Sequence, residues 1–155
     1  MGRIGMSMTI KQHVDHWLAS SEESLRDMRA AFKSGRRMNA MYTGHLAVEK
    51  IFKALLAAQD EEIIYTHNLV TLAKRCGLSL TAAQEAELVT LNEFNIASKY
   101  ASIKSAIYKR CTSKYTATWS AVIRKWQKAI KQEVVQIRAK LPDRTPASHV
   151  ARGIL

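Results

Sequence analysis

Proline is missing from the first 141 residues of this chain; its two copies are Pro142 and Pro146. Proline fixes φ and lacks a backbone donor, so it punctuates turns and strand edges and ends helices. With six glycines besides, there are too few turn formers for the many short strands of a sandwich or barrel. An all-α chain is the class that remains. At 155 residues and 47% apolar content, the chain is one domain able to bury a core without disulfides or structural metals. Cys76 and Cys111 show no CxxC spacing and no clustered histidines, which fits two buried, idle thiols in a reducing cytoplasm. No uncharged run reaches a dozen residues, and residues 1–8 lack the apolar stretch of a secretion signal, so the reading is cytoplasmic with no membrane partner.

Hydrophobic spacing divides the chain. Ile10, Val14, Trp17, Ser21, Met28 and Phe32 recur at threes and fours and predict a helix over 10–34, capped by Thr9 and ended by Gly35. A second helix, over 38–58, is apolar on more than half its circumference through residues such as Met41, Leu46, Phe52 and Leu55, so it belongs at the centre. A short helix over 68–75 closes at Gly77, and Thr81 with Gln84 forms a capping box for a fourth that reaches about residue 97. Residues 98–114 carry no clear period. The last long helix, 115–141, has a near-heptad stripe of Trp119, Val122, Trp126, Ile130, Val134, Ile137 and Leu141, and Pro142 stops it. These pieces predict an antiparallel up-and-down helical bundle of four long helices plus one short helix over 9–141, followed by a loosely ordered C-terminal tail, 142–155.

Charge is distributed unevenly. The net charge is +11, yet residues 1–97 hold eleven Lys and Arg against eleven Asp and Glu. Residues 98–140 hold eleven basic side chains against Glu133 alone. Such a segment attracts polyanions, whether nucleic acid, an acidic protein or an anionic surface. Tyr100, Tyr108 and Tyr115 interleave there with Lys99, Lys104, Lys109, Arg110 and Lys114. Cations that neutralise phosphates beside rings that stack on unpaired bases suit single-stranded RNA or a nucleotide.

Other residues point to packing. His13 and His16 are three apart on the first helix, but no HExxH or CxxC completes a coordination sphere, so no metal is assigned. His45, Glu49 and Lys53 succeed one another by single turns on the central helix and read as a buried polar network. His67, at the mouth of the short helix, reads as a tie to a neighbouring connection. Trp119 and Trp126 lie on the apolar stripe and read as core. No GxxxxGK, GxGxxG or GxSxG occurs, which removes the usual phosphate cradles and nucleophile elbows; no cofactor is expected.

Trp17 followed by residues 20–28, then HLAVEKIFKALL over 45–56, then Thr66, His67, Asn68 and Leu69, resembles the HEPN domain, whose name abbreviates higher eukaryotes and prokaryotes nucleotide-binding. The resemblance extends from about residue 16 to 135. It implies a helical bundle that pairs as a homodimer, sits beside a separately encoded minimal nucleotidyltransferase or acts in a toxin–antitoxin or defence module, and binds RNA or nucleotide. Many members are metal-independent ribonucleases with Arg, four to six residues, then His at the start of the last long helix. Here Arg110 is followed by Tyr115 where the nearer spacing would place that His, and a phenol with a reference pKa near 10 is a poor proton acceptor at neutral pH. Arg144 and His149 match the spacing, but Pro146 lies between them and both follow the last helix. Lys99 and Tyr100 resemble the Arg and Tyr pair that the nucleotidyltransferase-associated subgroup carries near the end of its fourth helix, with the guanidinium fork lost.

The function expected from the sequence is therefore RNA or nucleotide binding through Lys99, Tyr100, Lys104, Lys109, Arg110, Lys114 and Tyr115, with no catalytic residue assigned. Two alternatives stand beside it. One is a ribonuclease toxin using Arg110 with Tyr115 or His45 with Glu49. The other is a non-enzymatic module that docks an acidic nucleotidyltransferase partner.

Overall fold

The computed structural model describes residues 7–147, which form six helices and no strand: α1 (Ile10–Lys33), α2 (Arg37–Ala58), α3 (Leu69–Arg75), α4 (Ala82–Ala97), α5 (Ala101–Arg110) and α6 (Ser113–Ala139). The predicted caps are in place. Thr9 with Gln12, and Thr81 with Gln84, form reciprocal capping boxes, and Gly35 and Gly77 take φ of +78° and +80° at helix ends, where a side chain would be strained. The fully buried residues Met41, Val48, Ile51, Phe52, Leu55 and Leu56 all belong to α2, the central helix.

One element differs from the expectation. Residues 101–110 form α5, so the described residues hold a sixth helix rather than four long helices and one short. Ile107 is its single buried residue. A helix fixed to the core at one point has no recurring apolar face, so period counting passes over it. The last helix also begins earlier than predicted, at Ser113, because the Thr112 hydroxyl accepts from the Tyr115 amide.

Side-chain pairs set the helix directions. Asp15 meets Arg138 through two bonds of 2.6 and 2.7 Å, and Glu22 meets Lys131 at 2.5 Å, so α1 and α6 run antiparallel. Burial works against ionisation of Glu22, but its bonds from Lys131 and Gln127 outweigh this and hold its carboxyl below the usual range. Trp126 Nε1 donates to Glu87 at 2.7 Å, and Phe94 packs edge-on against Tyr115, so α4 is also antiparallel to α6. Gly44 lets α2 approach both neighbours: a Cβ there would overlap Ile123 Cδ1 and stand 2.9 Å from Met28 Sδ. Cys76 and Cys111 are buried and free, and burial pushes the Cys76 thiol up to about 12.

Of the segment 142–155, residues up to Ala147 are described. Asp60 stands in the left-handed region at φ 55°, a conformation that Asp tolerates better than most residues. Its carboxylate accepts from Arg144 at 2.7 Å and from the Ala147 amide at 3.3 Å. The Ile10 amide donates to the Arg144 carbonyl at 2.9 Å, joining the first turn of α1 to this segment. His149, and with it the Arg144 to His149 spacing, lies outside the described residues.

Candidate functional site

Structure redistributes the charge of residues 98–140. Arg110 pairs with Glu93 at 2.7 Å, Lys125 with Glu87 at 3.7 Å, Lys131 with Glu22 and Arg138 with Asp15. All four carboxylates come from the charge-balanced part of the chain. Among the described residues, the cations of this region without an ion-pair partner are Lys99, Lys104, Lys109, Lys114, Arg124, Lys128 and Lys140, all exposed. Five of them fall between residues 99 and 124.

The seven residues singled out from the sequence separate into three groups. Arg110 and Tyr115 come together against α4: Arg110 holds Glu93, while the Tyr115 ring packs between Phe94 and Trp119. Burial raises the Tyr115 phenol's pKa, and the nearby Arg110 guanidinium only partly opposes this, so the phenol stays protonated at neutral pH. It is no proton acceptor there. Lys109 belongs to a second place, a cavity of about 250 Å³ whose walls include Tyr108, Gly35 and Arg37. Arg37 was not singled out from the sequence; its Nε donates to the Cys111 carbonyl at 2.8 Å, which aligns the start of α2 with the α5–α6 junction. Lys99, Tyr100, Lys104 and Lys114 form the third group. They stand on the exposed α4–α5 connection, on α5 and on the first turn of α6, with Tyr100 58% exposed at the N-cap of α5.

A second cluster is polar and interior. His45 is fully buried, and its Nε2 donates to the His67 carbonyl at 3.0 Å. Because a carbonyl only accepts, Nε2 carries the proton and Nδ1 is left buried without a partner. Burial is the main reason its pKa falls to about 4, against an opposing pull from Glu49, so His45 is neutral at pH 7. Glu49, also buried, accepts from His67 Nδ1 at 2.5 Å and lies 3.8 Å from Lys53, whose ammonium sits 5.4 Å from the Trp17 ring centre. His45 therefore has no route to a substrate, and the pairing of His45 with Glu49 as catalytic partners fails on access. His67 is tied down, but to Glu49 of α2 rather than to a neighbouring connection, and this network fastens the connection 59–68 to α2. Its partnership with Glu49 spans 18 residues, and no helical spacing could reveal it.

His13 is buried and His16 exposed against Trp17, and among the described residues no three His, Cys, Asp or Glu side chains converge as metal ligands. Among the described residues, no helix is long and apolar enough to cross a membrane. The family model described as the HEPN domain matches residues 14–131. No curated protein and no solved structure is similar enough to match the chain. The motif-bearing stretch 45–69 and four of the helices lie within that match whole, with most of α1 and α6; the chain belongs to the HEPN domain family.

Proposed function

We propose that this protein binds single-stranded RNA or a nucleotide through Lys99, Lys104, Lys109 and Lys114, with Tyr100 as the stacking ring, and that it is a catalytically weak or silent cytoplasmic homodimer in a toxin–antitoxin or defence module. The observation that carries this reading is the concentration of exposed cations without carboxylate partners on α5 and its flanks. On the later part of α6, by contrast, Lys125, Lys131 and Arg138 are neutralised by acids from α1 and α4. Arg110 contributes less to the ligand than the sequence suggests, because Glu93 already occupies its guanidinium. Tyr115 acts as packing. A separately encoded nucleotidyltransferase with an acidic face is a partner that the same lysines would accept.

Titration of a fluorescent single-stranded RNA against salt tests the proposal. Four neutralised phosphates give a log–log slope of about −2.8. A flat response overturns it.

One observation favours a second reading, a metal-independent ribonuclease. The His67 ring is half exposed and its Nδ1 is held by the buried Glu49 carboxylate, so a neutral ring presents Nε2 as acceptor. Incubation with transfer and messenger RNA in chelator decides it: cleavage that disappears in His67→Ala establishes the reading, and intact RNA at high protein concentration removes it.

A further inference from the structure

Asp15 faces Arg138, and seven residues along each helix Glu22 faces Lys131. A step of seven is two helical turns, so these pairs form rungs on one face of the α1–α6 contact. The next step of seven leads to Arg29 on α1 and Arg124 on α6. Both line a groove of about 370 Å³. The ladder thus sets acid against base twice and then guanidinium against guanidinium. Lys33, one turn beyond Arg29, adds a third cation, and no carboxylate lines the groove. Among the described residues, none of these three cations has an ion-pair partner.

An independent feature lies at the base of the groove. Ser120 lines it and is only 4% exposed, yet its hydroxyl has no hydrogen-bond partner. A buried hydroxyl left unpaired costs free energy that an acceptor oxygen in the groove would recover. Like charges brought together across two helices repel until an anion lies between them, and guanidinium forks match tetrahedral oxyanions best.

We propose that the α1–α6 groove is a phosphate site, in which Arg29, Arg124 and Lys33 hold the oxyanion and Ser120 donates from below. The phosphate belongs to a nucleotide's terminal group or to an RNA backbone diester. This site is separate from the lysines of residues 99–114 and does not depend on their binding anything.

Thermal melting at constant ionic strength, with and without inorganic pyrophosphate, tests the proposal on the whole chain and on Arg29→Glu and Arg124→Glu. Each substitution turns the third rung into an acid–base pair. Arg124→Glu should therefore melt above the parent in the absence of pyrophosphate, whereas Arg29→Glu gains less because Arg29 also favours the ionised Glu22 carboxylate. At about a hundredfold excess over Kd, pyrophosphate should raise the parent's Tm by roughly 5 to 10 °C and leave the variants unmoved. No rise in the parent, or an equal rise in all three, overturns the proposal. A uridine decamer without terminal phosphates then distinguishes the sources. Tenfold or greater loss of its affinity in Arg29→Glu assigns the site to backbone diesters, whereas unchanged affinity beside a lost pyrophosphate response assigns it to a terminal phosphate.

Discussion

The later part of α6 and the region around α5 hold most of their cations differently. Beyond residue 124, Lys125, Lys131 and Arg138 each meet a carboxylate of α4 or α1, while Lys128 stands exposed without one. Before it, Lys114 is exposed and unpaired, as are Lys99, Lys104 and Lys109 on the preceding elements. The same surplus of charge thus does two jobs. One part tethers α6 to its neighbours, and the other faces outward. Counting charges along the chain cannot separate these roles, because the neutralising acids lie about 40 to 120 residues away in sequence.

Replacing Lys99, Lys104, Lys109 and Lys114 together by Gln gives the largest expected effect: RNA affinity at 0.1 M salt falls on the order of several hundredfold, from the loss of about four phosphate contacts. Fluorescence anisotropy measures it. Replacing Lys125, Lys131 and Arg138 by Gln should change that affinity less than about tenfold, and equal losses from the two sets would erase the distinction between them.

Acid separates a third region, the buried His45 network, from both. The folded pKa of His45 is depressed to about 4 from 6.5. Above pH 6.5 its site is at full stability; as pH falls from 6.5 towards 4 the unfolded chain takes up the proton first, and stability declines by about 3 kcal/mol. The Glu22 carboxyl is shifted downward, so its stabilising contribution is lost only as pH falls from its ordinary range through its lower folded value. Urea midpoints measured between pH 7 and 4 should show this decline in the parent and a flatter profile in His45→Gln. A parallel profile in the two proteins would remove His45 as the cause.

The smallest effect compares the two kinds of cation by stability. Glu22→Ala should cost about 1 kcal/mol, since it leaves Lys131 unpaired and removes a bond from the buried Gln127 amide. Lys104→Ala should stay within about 0.5 kcal/mol. Chemical denaturation resolves the difference, and a Lys104 variant as destabilised as the Glu22 variant would contradict the outward-facing role.

Much of the fold was legible because it rests on local rules. Thr9, Thr81, Gly35 and Gly77 announce helix ends within a turn of where they act, and the apolar content of α2 marks the centre. α5 was hidden because Ile107 is its single buried residue. The site was less legible, since its character depends on pairs brought together by folding. Glu93 takes Arg110 out of the exposed set, Phe94 and Trp119 absorb Tyr115, and Glu49 finds His67 rather than His45. The facing arginines did leave a trace. Charges at 15, 22 and 29, and at 124, 131 and 138, repeat at sevens, but the pattern acquires meaning only once the two helices are known to be antiparallel.

The bond from the Ile10 amide to the Arg144 carbonyl, with Asp60 gripping Arg144 and Ala147, has a mechanical consequence. Tension applied at either extremity must open this clasp before it can peel α1 away, so cutting the chain after Leu141 would loosen the bundle at its opposite terminus.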